Sequence, residues 1–374
     1  MGGDRAPAET VRGAFAAAAE YPADYVLIGD EDAIRKIAAE EGVDLSAFTV
    51  VPTTQVISME DDPVCVMRDK KDSSMATGLR MLAAGEGDAF VSTGNTGALF
   101  TGSMLIVRKI RGLQRAGIAT ILPLACPVLL LDTGANVEVT SENLEQFAIM
   151  GSAYMKTLYG IASPRVGLLN NGSEACKGTP LYVETHARLA ACPEINFVGN
   201  VEGNALTRGV CDVLVTDGFT GNILVKAIEG MGKLLMGEVK SVFLSGVIGK
   251  LSALALKKPL GAMKKRFDAN EIGGAPILGI AKPVIKAHGS SNAKAFKNAI
   301  RQAIAYASST TIGDVTAVME TLAEKKRAAR AARADATQAD ADGTGDENGA
   351  NNVNGANGAS GANDVPDAQE KSEA

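Results

Sequence analysis

The stretch Asp212–Gly230 reads DVLVTDGFTGNILVKAIEG and contains one strand–loop–helix unit. Its first four residues, DVLV, are apolar apart from Asp212, which predicts a buried strand. After it, TDGFTGN (216–222) combines two glycines with hydrogen-bonding side chains, which predicts a loop. The spacings of three and four that follow predict a helix through Ile223, Lys226, Ala227 and Gly230. This order of elements is typical of an α/β protein.

The same alternation runs along most of the chain. Strands are predicted at 25–29, 48–51, 88–92, 118–122, 128–131, 165–169, 195–198 and 212–215. Helices are predicted at 11–20, 32–41, 73–84, from 96, at 143–159 and at 179–191. Because these strands are apolar throughout, we expect a mostly parallel sheet covered by helices on both faces, that is, a three-layer α/β/α sandwich.

Composition and charge separate the body of the chain from its end. Of 374 residues, 46% are hydrophobic and only 4% aromatic, so the core must consist of Ala, Val, Ile, Leu and Met. The net charge of -6 arises mainly after residue 330, where nine acidic residues face two basic ones. We therefore predict a domain over 1–325 and a disordered acidic tail over 331–374. The nearly neutral body predicts no nucleic-acid partner.

Cysteine and histidine usage gives no sign of a metal or cofactor. Five cysteines lack CxxC spacing, and the two histidines belong to no cluster with ligand spacing. No apolar run approaches 18 residues, so no transmembrane segment is predicted. These features favour a cytoplasmic protein without a metal.

Five loops of one character follow predicted strands. They are STGNTGA (92–98), DTGAN (132–136), NNGSEACKG (170–178), GNVEGN (199–204) and TDGFTGN (216–222). Glycine and asparagine are ordinary turn residues, but five such loops on one sheet edge favour a ligand site. Exposed amides and helix N-termini at this edge would suit an anion. Dinucleotide, P-loop and GxSxG fingerprints are missing, so the expected ligand is a small anion.

Several unusual blocks of sequence resemble one family. The blocks are MGGDRAP (1–7), KKDSSM (70–75), VSTGNTGA (91–98), LLDTGAN (130–136), 170–178, FVGNVEG (197–203), DGFTGN (217–222) and KAHGSSNAKAFKNAI (286–300). In this order they resemble the phosphate acyltransferase of bacterial phospholipid synthesis. The resemblance spans residues 1 to about 320. It implies transfer of an acyl group from acyl-acyl-carrier-protein (acyl-ACP) to inorganic phosphate, a fold similar to isocitrate/isopropylmalate dehydrogenases, and a homodimer.

The chain departs from the family pattern in three places. Family members usually open with a short apolar strand before MGGD, whereas this sequence starts at Met1, which predicts either a misassigned start or a lost central strand. An Arg-Asp pair usually follows GNVEG; here Asn204 and Ala205 follow, so an anion-binding arginine is not expected there. The acidic tail lies outside the pattern.

Acyl transfer to phosphate needs cations and amide donors rather than a strong base, because phosphate is already an anion. The resemblance favours Lys177 as the partner of phosphate or of the oxyanion, against an ordinary surface lysine. It favours Asn222 as a donor to the carbonyl oxygen, with helix capping as the other interpretation. His288 is equally a candidate acid for the leaving thiolate and a local hydrogen-bonding residue. Cys176 is a weak candidate for a catalytic thiol, and His186 is expected to be structural.

The other predicted site residues shape the pocket. Asp217, Thr220 and Gly221 are expected to form one wall with Asn222. A second wall is expected from Ser92, Gly94, Asn95, Thr96 and Gly97. Asp132 and Asn136 are expected mainly to anchor loops.

Residues 240–267 predict a protruding helical hairpin that turns near Lys257–Gly261. Its apolar positions suit a core or a dimer interface. Its cations suit contact with an anionic membrane or an acidic carrier protein through Lys257, Lys258, Leu260, Lys264 and Lys265. The implied product would pass to an acyl-phosphate:glycerol-3-phosphate acyltransferase.

Three other functions remain open from the sequence. A phosphate acetyl- or butyryltransferase acting on short acyl-CoA would need a pocket for the adenine nucleotide. A nicotinamide-dependent dehydrogenase would need a metal-binding set of aspartates, which the sequence does not offer. A non-catalytic membrane scaffold would not need Lys177 and Asn222.

Overall fold

A computed structural model describes residues 1–124, 126–244, 246, 252–253, 256–266, 271 and 273–343. For 262–266 and 329–343 it describes the backbone alone. Contacts divide the chain into one unit over Met1–Ala323 and a second over Glu324–Ala374. Within the described residues, no helix is long and apolar enough to cross a membrane.

Helices and strands alternate as the sequence predicts through the first two thirds of the chain. The helices are α1 (Ala8–Ala18), α2 (Glu31–Glu41), α3 (Ser74–Ala84), α4 (Thr96–Gly102), α5 (Ser141–Tyr159), α6 (Pro180–Ala190), α7 (Gly218–Leu244), α8 (Lys257–Arg266), α9 (Ala293–Ala307) and α10 (Thr311–Gly343). The strands are β1 (Tyr25–Gly29), β2 (Phe48–Pro52), β3 (Phe90–Ser92), β4 (Gly117–Leu122), β5 (Val128–Leu131), β6 (Arg165–Leu169), β7 (Asn196–Val201), β8 (Val213–Val215), β9 (Gly274–Leu278) and β10 (Val284–Ala287).

Eight strands form one mixed sheet in the order β3-β10-β9-β4-β5-β8-β6-β7, and β1 and β2 form a separate parallel pair. Pairing is parallel from β5 through β8 and β6 to β7, and between β10 and β3. It is antiparallel where β9 meets β10 and β4, and where β4 meets β5. The mostly parallel α/β architecture is therefore confirmed.

The largest core cluster lies where α5, α9 and α10 cover the sheet. Helix α5 buries Phe147 and Tyr154 completely against strands that are themselves fully buried. Tyr154 packs edge-on against Tyr306 of α9, and its hydroxyl accepts a hydrogen bond from the Gln302 amide at 2.9 Å. Buried tyrosine hydroxyls usually have such a partner, because an unpaired buried hydroxyl costs free energy.

The expectation that five loops share one sheet edge is wrong for one of them. The loops after β5, β6, β7 and β8 do share an edge, because these strands run in the same direction. Strand β3 runs the opposite way, since three antiparallel pairings separate it from β5. The loop 92–98 therefore lies at the opposite edge, beside the end of β10. Strands β9 and β10, which reverse the direction, were not predicted from the sequence.

Two other expectations need correction. No turn lies at 257–261, because these residues belong to helix α8; Pro259 is tolerated in its first turn, where the backbone N–H has no helical partner. The chain is helical rather than disordered from 331 to Gly343, in keeping with its many Ala and Arg residues. Lys264 and Lys265 have described backbone only, and the predicted disorder of 344–374 lies outside the described residues.

Candidate active site

Three neighbouring strands end at the centre of the candidate site. Strands β5, β8 and β6 lie side by side and parallel, and they lead into the segments 132–136, 216–217 and 170–178. Ligands bind at this position in open α/β sheets. The sheet thereby brings Lys177, Asn222 and the Asp132 loop to one place.

Asp132 organises the first loop from a fully buried position. Its carboxylate accepts hydrogen bonds from the backbone N–H groups of Ile118, Gly134, Ala135 and Asn136 and from the Asn136 side-chain amide. Burial raises the pKa of Asp132, although these donors oppose the rise. The Asn136 amide also donates to the Ala116 carbonyl at 2.7 Å. Both residues therefore hold the loop rather than a ligand.

Asp217 immediately precedes helix α7, and both of its carboxylate oxygens accept hydrogen bonds. One carboxylate oxygen accepts from the Thr220 backbone N–H, and the other accepts from the Thr220 hydroxyl and from Tyr182. Burial, with the Asp217 hydrogen bond next, raises the pKa of Tyr182. The predicted loop 216–222 is thus shorter than expected, because residues from Gly218 onward form the first turn of α7.

Two glycines allow this turn to touch the Asp132 loop. A methyl group on Gly221 would lie 1.9 Å from the Asp132 carbonyl oxygen, and one on Gly218 would lie 2.7 Å from that of Asn136. Gly218 also donates its N–H to the Asn136 carbonyl at 2.7 Å. Gly221 is therefore required for packing, as a residue without a side chain where two backbones meet.

Asn222 follows at the exposed surface of the first turn of α7. Its amide lies beside Gly134, since a methyl group on Gly134 would be 3.7 Å from the Asn222 side chain. Among the described residues its amide has no hydrogen-bond partner, so the capping interpretation is not supported. Asn222 is thus available to a ligand.

Lys177 lies at the end of the 170–178 loop, with an exposed side chain. The Asn170 amide donates to the Lys177 carbonyl at 3.1 Å, and Gly172 makes room for the lysine stem. Asn200, which is buried, donates to the Glu174 carbonyl at 2.8 Å and lies 3.0 Å from His186 Nδ1. His186 is structural, as expected, and it supports this loop through Asn200.

The second predicted wall lies at the opposite edge. More of its polar groups are hydrogen-bonded within the protein than the sequence predicts. The Asn95 amide donates to the carbonyls of Ser58, Met59 and Asp61, and its oxygen accepts from Ala98. Asn95 is therefore a structural clamp and helix cap rather than a ligand-binding side chain. Ser92 Oγ accepts the Gly94 N–H at 3.1 Å, Thr96 is exposed, and Gly97 lies against Pro63.

His288 and Lys286 accompany this second wall at the end of β10. His288 Nδ1 accepts the Ser290 N–H at 3.2 Å, so in the neutral ring the proton is on Nε2. Burial, followed by the charge of Lys226, lowers the pKa of His288. Lys286 is 8% exposed and donates to the carbonyls of Thr93 at 3.2 Å and Ala287 at 2.5 Å. Burial lowers the pKa of Lys286 to about 8.

Helix α7 connects the group of residues around Asn222 with the group around His288. Asn222 is in its first turn, and Lys226, whose charge acts on His288, is one turn further along. One helical turn rises about 5.4 Å. Asn222 and Lys226 are therefore one turn apart on the helix, and it is the Lys226 charge that acts on His288.

Sequence reasoning missed Tyr182, Asn200 and Lys286. Tyr182 and Asn200 act through partners that are distant in sequence, so no local pattern marks them. Lys286 did have a signal, because it is a cation inside VIKA, a strand with otherwise apolar residues. Among the residues that the structure describes, no group of three or more His, Cys, Asp or Glu could hold a metal ion.

Comparison with known proteins assigns the chain. A family model described as "Fatty acid synthesis protein" matches residues 1–313. Similar proteins named phosphate acyltransferase include one from Acetivibrio thermocellus, 44% identical over 309 residues that cover 82% of this chain and 91% of that protein. Another, from Latilactobacillus sakei, is 40% identical over 320 residues, covering 84% and 94%.

The chain belongs to the phosphate acyltransferase family. It is therefore an acyltransferase of lipid synthesis, and the resemblance seen in the sequence is confirmed.

Solved structures support the fold of this phosphate acyltransferase family member. A phosphotransacetylase from Streptococcus pyogenes matches with a TM-score of 0.55 at 17% identity, covering 81% of this chain and 91% of that one. A branched-chain phosphotransacylase from Enterococcus faecalis matches with a TM-score of 0.51 at 14% identity, covering 82% and 97%. At these identities the likeness concerns the α/β fold alone.

Proposed function

We propose that the chain transfers a long-chain acyl group from acyl-ACP to inorganic phosphate, giving acyl phosphate for phosphatidic acid synthesis. The observation that carries the proposal is the placement of Lys177 and Asn222 at the ends of the neighbouring strands β6 and β8, each with its polar group exposed. Family membership supplies the reaction class. The carrier protein as acyl donor is our inference.

In the proposed reaction a phosphate oxygen attacks the thioester carbonyl carbon. The carbon–oxygen bond forms, the carbon–sulfur bond breaks, and the thiolate leaves with the carrier and gains, through solvent, the proton that the hydrogen phosphate loses. Phosphate needs no general base, so the protein has to offset repulsion and stabilise the oxyanion. Lys177 would supply the positive charge, and the Asn222 amide would donate to the carbonyl oxygen.

The availability of backbone N–H groups supports the 170–178 loop as the proposed phosphate site. At the start of α7, the N–H groups of Gly218, Thr220 and Gly221 already bond to Asn136 and Asp217. In contrast, the N–H groups of Ser173, Glu174, Ala175 and Cys176 have no acceptor among the described residues. Free consecutive amides beside a lysine are a suitable site for a phosphate anion.

His288 would act as a hydrogen-bond donor rather than an acid. Its lowered pKa leaves the ring neutral near pH 7. A neutral imidazole transfers its proton poorly. A thiol with a pKa of about 8.5 departs readily as its thiolate, so the leaving group needs no acid. Ser92, Gly94, Thr96 and Gly97 would line the acyl side of the pocket near His288.

The proposal includes a homodimer and surface contacts. Helix α7 exposes one apolar face, with Met231, Leu234, Leu235 and Val242 each more than half exposed. Such a face is suited to a partner subunit. Lys257, Lys258 and Leu260 of α8, with Lys264 and Lys265, would contact an anionic membrane or the carrier protein, which gives a cytoplasmic protein with peripheral membrane contact. An acyl-phosphate:glycerol-3-phosphate acyltransferase would use the product.

The test is phosphate-dependent cleavage of palmitoyl-ACP, with acetyl-CoA compared, in wild type, Lys177→Ala and Asn222→Ala. We expect acyl phosphate from palmitoyl-ACP and a loss of about 100-fold in kcat/KM for each variant, the size expected for one oxyanion-site donor. Lys36→Ala, on the exposed side of α2, is the matched control and should keep full activity. Activity with acetyl-CoA alone would instead identify a short-chain phosphate acyltransferase.

A further inference from the structure

A basic segment that the reaction does not use lies between α4 and β4. It reads RKIRGLQR (108–115) and contains Arg108, Lys109, Arg111 and Arg115. The three arginines are exposed and Lys109 is half-buried. No acidic residue occurs in the sequence between Asp88 and Asp132. We call these four residues the basic patch.

The charges of the basic patch are not neutralised by any residue whose side chain the structure describes. None of its three arginines forms an ion pair with any described residue, whereas Arg12, Arg35, Arg165 and Arg188 all do. Lys109 Nζ donates to the Gln114 carbonyl at 2.6 Å, which leaves its charge uncompensated. Three arginines without anionic partners on one short segment are suited to recognition of carboxylates, which arginine binds in a bidentate manner.

The backbone beneath the patch is held in place from several sides. Ala281 donates its N–H to the Arg108 carbonyl, and Ile110 donates to the Gly279 carbonyl, each at 2.9 Å. Gln114 is fixed by α5, since its N–H donates to Gln146 Oε1 at 2.8 Å and its side-chain oxygen accepts from Asn143 at 2.8 Å. Arg108 has φ 73°, a strained conformation for a residue with a side chain. Such strain is common at sites that hold a ligand or partner.

The patch borders the candidate active site. Arg115 precedes Ala116, whose carbonyl accepts the Asn136 amide, and Ile118 donates its N–H to Asp132. Val137, next to Asn136, is 64% exposed. The basic patch, an exposed apolar residue and the loop that faces Asn222 are thus contiguous.

We propose that Arg108, Lys109, Arg111 and Arg115 are the surface on which an acidic acyl carrier protein docks to deliver its thioester. The inference rests on the proposed function and makes it more specific. Docking here places the carrier at the loop beside Asn222 and leaves the lysines of α8 for the membrane. A protein is favoured over a membrane because arginines predominate and, among the described residues, no broad apolar face accompanies them.

The test compares two charge-reversal variants in the full chain. Arg111→Glu/Arg115→Glu removes half of the patch, and Lys257→Glu/Lys258→Glu alters α8 in the same way. Steady-state kinetics with palmitoyl-ACP and with palmitoyl-CoA, and titration of the unacylated carrier protein by fluorescence anisotropy, are measured for both and for wild type. We expect the patch variant to raise KM for palmitoyl-ACP about tenfold or more, with kcat and palmitoyl-CoA turnover unchanged.

Several results would overturn the inference. One is an unchanged KM in the patch variant while the α8 variant loses affinity for the carrier. Another is an equal loss with palmitoyl-CoA, which would indicate binding of nucleotide phosphates. Arg111→Gln provides a milder variant if the double variant does not fold, and its affinity for the carrier should depend less steeply on salt than that of wild type. Failure of wild type to form acyl phosphate would refute the proposed function, whereas carrier binding can be measured without turnover.

Discussion

At the residue scale, Gly221 determines how closely α7 approaches the Asp132 loop. We predict that Gly221→Ala destabilises the protein by about 1–3 kcal/mol, because its methyl group would lie 1.9 Å from a backbone oxygen. Gly230→Ala is the matched control in the same helix, where a methyl group meets nothing within 4 Å. The control should be neutral or slightly stabilising. Urea unfolding of both variants checks this, and equal effects would contradict it.

The burial of Lys286 predicts that the free energy of unfolding depends on pH. Its pKa is about 8 in the folded protein against 10.5 as the ordinary value, so between these pH values the unfolded chain binds the extra proton. Stability therefore rises with pH across this interval. Relative to Lys286→Met, we expect the wild-type free energy of unfolding to gain about 2 kcal/mol from pH 8 to 9.5. Denaturant titrations of both proteins at both pH values measure this gain, and an equal pH dependence in wild type and Lys286→Met would show that burial does not lower the pKa of Lys286.

At the element scale, α7 serves both the site and the surface. Its first turn packs on the Asp132 loop, and Leu224, Val225 and Ile228 pack against the sheet. Further along, Met231, Leu234, Leu235 and Val242 remain exposed. One helix thus positions Asn222 and presents the apolar face proposed for dimerisation.

We predict that Leu234→Glu/Leu235→Glu converts a dimer to a monomer, because charges at a covered apolar interface are costly. Light scattering coupled to size exclusion gives the mass directly. Val183→Glu, at a less exposed position on α6, is the control and should leave the mass unchanged. A wild-type monomer at micromolar concentration would refute the dimer.

At the scale of the whole molecule, we expect the acidic end to contribute little to folding. The part after Arg330 has no aromatic residue and no Ile, Leu or Met, so it can bury little apolar area. We predict that removal of 331–374 leaves the unfolding temperature within about 2 °C and leaves kcat/KM unchanged. Calorimetry and the acyl phosphate assay check this, and a larger drop would mean that the end packs on the body.

The sequence by itself determined the alternation of strands and helices, and with it the α/β fold. Apolar runs such as 128–131 and the helical spacing after Gly221 are local properties of the sequence. The spacing of apolar residues along the chain is enough to predict a strand or a helix. The glycine-rich motifs also identified the family, and they led to the proposal that Lys177 and Asn222 are site residues. These motifs are recognisable because two backbone segments lie close together there, which restricts the residue types that fit.

The tertiary structure alone decided strand direction and which polar groups are free. The reversal through β9 and β10 moves Ser92 and His288 to the other edge, and no local pattern encodes the direction of a neighbouring strand. Likewise, Asn95 and Asp217 look like ligand-binding residues in sequence but are satisfied by partners such as Asp61 and Tyr182. A hydrogen bond between residues 34 or 35 positions apart depends on packing, so only the folded chain distinguishes a scaffold residue from one available to phosphate.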